Sequence, residues 1–289
     1  MKTKGNRDAP AAHGPDAGGN PDKAGKSPQG GERPPFNRSQ MVDHTKMKLG
    51  RREVRHDGRT LQLARYMKAL PPPPPAADWT KGITAWGMML NDQLGDCTIA
   101  GCGHAVQVWT ANLGAEVTLP DATIEQFYQE WDGYNPADPL TDQGGVEIDV
   151  LNAWRQGGFA GHILSAYADP QVANLEAVRQ AIHLFGGVYI GLSLPLTAQN
   201  QPVWDFSANT SAETEPGSWG GHCVFVPKYD EKGFTCVTWG GLQEMTTAFW
   251  LEYCDEAHAL LSRDWLGAKG SPDGLALEQL QADLAEVTA

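Results

Sequence analysis

Five cysteines and eight histidines stand among the 289 residues, and one cysteine occupies a position suited to nucleophilic chemistry. Cys97 lies in Asn91-Asp-Gln-Leu-Gly-Asp-Cys-Thr-Ile-Ala-Gly-Cys-Gly103, a polar loop that breaks into an apolar repeat at Ile99, Cys102, Val106, Trp109 and Leu113. That spacing of three and four, with Gly114 as a stop, predicts a buried helix with Cys97 on its first turn. The unsatisfied amides and partial positive charge of a helix N-terminus favour a thiolate over a thiol, while Asp96 next door opposes it. A cysteine there can equally be a small core residue, so the presence of a base decides between the two. His104 is seven residues further along the same helix, about 10 Å up the axis and too far to take the thiol proton. His13, His44 and His56 belong to the basic N-terminal region. His222 follows Ser218-Trp-Gly-Gly and begins a strand of alternating apolar residues, the best setting of the eight for a general base. Zinc is a poor alternative, because Cys97 and Cys102 point about 140° apart on a helix and no Cys-x-x-Cys accompanies them. No phosphate-cradling or dinucleotide-binding glycine loop appears, and no metal or cofactor is expected.

The elements that must position Cys97 and His222 follow from periodicity. Trp79 to Leu90 approaches the polar loop. After the Cys97 helix, a second is predicted from Pro120 to Trp131, with Ile124, Phe127, Tyr128 and Trp131 on one face. Val150, Leu151 and Trp154 mark a third, and Leu175, Val178, Ile182 and Phe185 a fourth, stopped by Gly186. The period then changes. Val188 to Leu194, His222 to Tyr229 and Phe234 to Trp239 read as strands, the last two joined by a turn at Asp230 to Gly233. Pairing Tyr229 with Phe234 sets Cys236 opposite Pro227 rather than Cys223, so no cross-strand disulfide is expected without a register shift. Pro227 lacks a donor and signals an edge strand or a bulge. Phe249, Trp250, Tyr253, Ala257 and Leu260 predict one more helix, and Leu277, Leu280, Leu284 and Val287 a final amphipathic one.

Charge divides the chain. Residues 1–69 carry 15 Lys and Arg against 7 Asp and Glu, a net +8, whereas the other 220 carry 7 against 28, a net −21. A body of that sign repels nucleic acid, so nucleic-acid binding is not expected. Residues 1–40, rich in Gly, Pro, Asp, Lys and Ala, are expected to be a disordered tail. Residues 41–75 form a basic arm ending in the spacer Pro71 to Pro75, with one docked helix predicted around Leu61, Leu63, Ala64, Tyr66 and Met67. The arm is expected to dock on the acidic body, and one placement for it is across the cleft, as an inhibitory segment would lie. The main domain spans 76–265, and residues 266–289 carry the last helix. With no apolar stretch behind the N-terminal charges, no membrane-length run and an odd number of unpatterned cysteines, the chain is expected to be cytoplasmic, or released by another route, without membrane partners.

A Cys on a helix start in the first half and a His on a strand in the second resembles the papain-like cysteine peptidases, over about residues 78–262. Asp78-Trp79-Thr-Lys-Gly-Ile-Thr resembles the family's mature start, and Gly95-Asp-Cys97-Thr its Gly-Ser-Cys-Trp at Gly and Cys. Leu119-Pro-Asp-Ala-Thr-Ile-Glu-Gln-Phe is similar to its Leu-Ser-Glu-Gln helix start, and Gly144-Gly145 to its Gly-Gly helix. Gly221-His222-Cys-Val resembles its Asp-His-Ala-Val, and Thr238-Trp239-Gly240 its Asn-Ser-Trp-Gly. The resemblance implies an α+β fold of two lobes, helical first and antiparallel β second, with a peptide or protein substrate between them. It implies Cys97 as nucleophile and His222 as general base and acid. The family's oxyanion Gln falls six residues before the Cys, where this chain has Asn91, with Gln93 four before it as reserve. The family's Asn that orients the His corresponds to Val237, which cannot hydrogen-bond through its side chain. Thr238 could take that role only through a bulge or a one-residue shift. The expected function is a papain-like thiol hydrolase, a peptidase or a related amide-cleaving enzyme. The alternatives are a papain-fold binding or structural protein that has lost turnover, and a transglutaminase-like acyl transferase.

Overall fold

The computed structural model describes residues 43–55, 60–67 and 72–287; the expected disordered tail at 1–40 lies outside them. From Met41 on, the chain forms a single compact unit. Strand β1 (Ala77–Asp78) leads through the approach segment to helix α1 (Cys97–Asn112), which is followed by α2 (Asp121–Asp132) and α3 (Glu147–Gly157). Then come β2 (Leu164–Ala168), α4 (Leu175–Phe185), β3 (Val188–Leu194) and β4 (Val203–Trp204). The second half continues with β5 (Gly220–Tyr229), β6 (Gly233–Thr238), β7 (Gly241–Thr246), α5 (Thr247–Tyr253), β8 (Cys254–Ser262), α6 (Arg263–Lys269) and α7 (Leu277–Val287). The order is α+β, with a helix-rich first part and a mainly antiparallel sheet, β2-β8-β3-β5-β6-β7-β4; only the β4–β7 pair is parallel, and β1 adds to β5.

Helix boundaries obey local chemistry. Asn174 caps α4 by accepting from the Ala177 amide, and Gly186 and Gly133 end α4 and α2 in the left-handed conformation that favours glycine. Helix α1 is buried along almost its whole length, which suits its even apolarity, and it packs on β5. Trp109 in α1 donates its indole N–H to Phe185 O at 2.8 Å and meets Phe225 of β5 edge-on, fixing the helix over the sheet.

Two expectations need correction, and one open choice is settled. Ala257 and Leu260 belong to β8, not to a helix: α5 stops at Tyr253 and the chain runs straight into a strand held between β2 and β3. That strand is buried on both faces, so its apolar residues show no alternation to separate strand from helix. The arm's predicted helix is a short 3-10 turn, Leu63–Arg65, held because Leu63 donates to Asp169 O and Asp169 to Leu61 O, both at 2.8 Å. Pro227 lies in a central strand, so the bulge reading applies: β5 pairs with β6 as Phe225↔Val237 but as Lys228↔Thr235, a slip of one residue around Pro227. Tyr229 does pair with Phe234, and all five cysteines are free. Helix α7 buries Leu280 and Leu284 against β2 and the arm, where Tyr66 Oη donates to Asp283 at 2.6 Å. No helix among the described residues is long and apolar enough to cross a membrane.

Candidate active site

Cys97 opens α1, and its position is set by the loops around it. Asp142 Oδ1 accepts from the Gly95 amide at 2.9 Å and from Tyr128 Oη at 2.7 Å, while the same Tyr128 oxygen accepts from the Gly144 amide at 2.9 Å. One carboxylate and one phenol thus tie the loop before Cys97 to the Gly144-Gly145 loop. Across from them, the Cys223 amide of β5 donates to Cys97 Sγ at 3.4 Å, bringing the strand that carries His222 against the start of α1.

The one-residue slip in β5–β6 decides what holds His222. Because of it, Thr238 rather than Val237 faces the ring, with Thr238 Oγ1 2.7 Å from His222 Nε2 and both residues buried. Val237 is fully buried elsewhere in the sheet. His222 Nδ1 has no hydrogen-bond partner. Trp239 stacks on the imidazole at 4.4 Å and 14°. It does so from a two-residue hairpin turn in which Trp239 (φ 45°) and Gly240 (φ 72°) both have positive φ. A tryptophan in that conformation is strained, and its contacts with His222, Trp219, Trp204 and His44 hold it there.

Of the two predicted oxyanion amides, one is committed elsewhere and the other faces solvent. Asn91 is buried and directs Nδ2 to Asp96 Oδ1 at 3.1 Å and Leu94 O at 3.4 Å, and Gln93 is exposed to solvent. Asp96 itself does not cap α1; burial pushes its carboxyl well above the ordinary range, with the Asn91 hydrogen bond pulling the other way. The expectation of a depressed Cys97 thiol is also reversed here. Burial raises it to about 12, against which the amides of Cys223 and Gly50 act only partly. Burial likewise lowers His222 to about 3, with nearby His44, His104 and Arg51 adding to the shift. The pair therefore holds its proton on sulfur. The helix-terminus argument fails because complete burial outweighs the helix dipole.

What buries the pair is the arm. His44 packs on Trp239 at 5.0 Å, Lys48 O accepts from the Trp239 indole at 3.3 Å, and the Arg51 amide donates to Gly221 O at 3.1 Å. On the other wall, Gly145 donates to Gly50 O and accepts from the Arg52 amide, each at 2.9 Å, in a parallel bridge. Gly50 fits so tightly that a Cβ there would lie 1.7 Å from Gly95 O, and one on Gly144 would lie 1.5 Å from Gly50 O. Residues 44–52 thus run between the two walls, with His44 and Lys48 against Trp239 and Gly50 beside Cys97.

Beyond the thiol, the Arg51 side chain enters a buried cage that sequence reasoning did not foresee. Its guanidinium meets Asp255 through both terminal nitrogens, Glu256 at 3.2 Å, and Glu147 through Nε at 3.1 Å. Consecutive strand residues normally face opposite ways, but β8 pairs Glu256 with Gly191 and Cys254 with Leu192, skipping Asp255, so both acids reach the same group. Burial works against the charge on Arg51, and the three carboxylates more than compensate, raising its affinity for the proton. Burial and the Glu256 charge push Glu147 well up despite Arg51. Burial also opposes ionisation of Glu256, but its bonds to His258 and Arg51 leave its carboxyl below the usual value. Glu147, Glu256 and His258 bring ligand atoms within 4.8 Å of one another, a spacing a metal ion could use, but the Arg51 guanidinium already satisfies that charge.

No protein-family model matches the sequence, and no curated protein matches it. Solved structures do. Xylellain, a cysteine protease from Xylella fastidiosa, superposes with a TM-score of 0.53 at 15% identity, covering 74% of this chain and 96% of that one. Procathepsin L 3 of the Tenebrio molitor larval midgut gives 0.47 at 14% identity over 75% and 76%. The proform of Amb a 11, a ragweed pollen cysteine protease, gives 0.46 at 15% identity over 67% of each chain. With helices first, an antiparallel sheet second and a TM-score above one half to xylellain over nearly all of that enzyme, this chain has the papain-like cysteine protease fold.

Proposed function

We propose that the protein is a thiol hydrolase of the peptidase type, held latent by its own residues 43–55. The observation that carries this reading is the setting of His222: Thr238 engages Nε2, Trp239 covers one ring face, and Nδ1 is left without a partner on the strand that touches Cys97. In the tautomer whose Nε2–H donates to Thr238 Oγ1, Nδ1 carries the lone pair and can take the thiol proton. The Cys97 thiolate then attacks a substrate carbonyl, and His222 returns the proton to the leaving amine. Water next adds to the thioester, again assisted by His222, to release the acid and regenerate the thiol.

Opening the cleft is what this chemistry requires first. Water and substrate entering as the arm leaves would remove much of the burial that holds the thiol up and the imidazole down. The thiol of Cys97 should therefore react slowly with iodoacetamide in the intact chain. After limited proteolysis within the arm it should become the fastest of the five cysteines, as resolved by peptide mass spectrometry, and His222→Ala should slow it specifically. Cleavage of the arm that leaves Cys97 no faster than Cys254 would end the nucleophile assignment. A second reading, a papain-fold protein that binds through this groove without turnover, draws on the filled cleft and the protonated thiol. Labelling of Cys97 without release of product from any peptide would favour it.

A further inference from the structure

The cage around Arg51 has features that tethering the arm does not require. Arg51 enters it from the residue next to the Gly50–Gly145 bridge, and Glu147 and Glu256 are buried in it while Asp255 is one-third exposed. Its floor is Gly191 of β3: a Cβ there would stand 2.2 Å from Arg51 Nε, so the planar end of the side chain lies directly on backbone. Its walls carry Glu147, Asp255 and Glu256, with His258 behind Glu256 at 3.0 Å and Ser193 donating to Asp255 at 2.6 Å. Glu147 is fully buried at the N-terminus of α3, and neither of its oxygens completes a hydrogen bond of good geometry, although Arg51 Nε stands 3.1 Å from one. Three acids converging on one group suit a donor-rich cation, and a guanidinium supplies five N–H groups in one plane where an ammonium supplies three from a point.

Resting on the hydrolase reading above, we propose that this cage is a substrate subsite selective for arginine, and that Arg51 occupies it in the latent chain as a stand-in. The substrate class is then a peptide or unfolded protein segment with an arginine at one fixed position relative to the scissile bond. Selectivity over lysine follows from shape. Asp255 takes both terminal nitrogens, Glu256 takes one of them and Glu147 lies against Nε. A lysine ammonium can approach one or two of these carboxylates but leaves the others unpaired in a buried site. Selectivity over leucine follows from the same unpaired acids. Gly191 sets the depth.

The test uses the full chain with Arg51→Ala, which empties the cage. The probes are acetyl-Leu-Gly-Arg-Arg-amide, copying residues 49–52, and the same peptide with Lys or Leu at its third residue. Titration calorimetry should show the arginine peptide binding at least tenfold more tightly than either. That preference should vanish in Arg51→Ala/Glu147→Gln and in Arg51→Ala/Gly191→Ala, whose added methyl blocks the floor. Should Arg51→Ala not fold, Arg51→Gln, which is shorter and carries no charge, serves the same comparison. Equal affinities, or no binding to a protein with a native circular dichroism spectrum, would overturn the subsite. Cleavage of a mixed peptide library, followed by mass spectrometry, separates this proposal from the one beneath it. Cuts with no arginine at a fixed register would remove the subsite and keep the hydrolase. Arginine-selective binding with no cutting and no Cys97 acylation would remove the hydrolase and keep an arginine-binding groove.

Discussion

Replacing Thr238 by Val tests the claim that a one-residue bulge supplies the partner that His222 would otherwise lack. The two side chains have nearly the same shape, so the change removes a hydroxyl and little else. In the folded protein that hydroxyl lies 2.7 Å from His222 Nε2, with the imidazole fully buried, so no water can take its place without the arm or sheet moving. A buried polar atom stripped of its partner costs about 1–3 kcal/mol. For a unit of this size each kcal/mol corresponds to roughly 2–4 °C in Tm, so the variant should melt roughly 2–12 °C lower by calorimetry. Nitrogen NMR of the imidazole gives the second readout. The wild type should show one dominant tautomer, protonated on Nε2, and Thr238→Val should lose that dominance, while Thr238→Ser should keep it. Val237→Asn, placed by family position rather than by geometry, should only destabilise, because it puts an amide at a fully buried apolar site. A Thr238→Val protein with unchanged Tm and an unchanged tautomer, or a Val237→Asn protein that rescues both, would refute the assignment.

Three other outcomes follow from the packing. Gly50→Ala introduces a methyl 1.7 Å from Gly95 O, so the arm should lift from the cleft, and Cys97 should alkylate at least tenfold faster than in the parent chain, as read by peptide mass spectrometry. His104 is fully buried with Nε2 2.9 Å from Gly87 O, and burial lowers it to about 4. Its unfolded form takes a proton below about 6.5, so stability from this site is complete above that pH and is lost as the pH falls towards 4. Between pH 7 and 5 the stability advantage of the parent over His104→Gln should shrink by about 2 kcal/mol in urea melts, and a constant difference would show that His104 titrates normally. Asp142→Ala removes the acceptor shared by Gly95 and Tyr128 and should cost about 2 kcal/mol, with faster hydrogen exchange at the Gly95 and Gly144 amides.

Much of this scaffold is legible before any coordinates. The start of α1 at Cys97, the extents of α2 and α4, strand β3 and the β5–β6 hairpin follow from local periodicity, caps and turns, which act over a few residues. Pro227 even announces the bulge on which the setting of Thr238 depends. What escapes is what depends on burial from both sides or on distant chain. Strand β8 has no polar face to betray its period. The Arg51 cage draws residues from the arm, α3, β3 and β8, and in sequence Arg51 is one of 15 basic residues in the first 69. The family's spacing points to Asn91, and spacing does not tell that Asp96 takes its amide. The proton on Cys97 likewise depends on the arm, since a helix terminus sets a tendency and the solvent above it sets the outcome.

Gly50 also bears on how the closed form is held. Its amide acts on the Cys97 sulfur, and its carbonyl, which belongs to the next peptide group along the chain, accepts from Gly145 at 2.9 Å. A nucleophile attacks carbon, and what the sulfur meets here is hydrogen-bond donors, the amides of Gly50 and Cys223. Turning the Gly50–Arg51 peptide plane towards the sulfur would break the hydrogen bond that Gly145 donates to Gly50 O. On the proposed hydrolase reading, the closed form should therefore persist until the arm peels away or is cut by another protease.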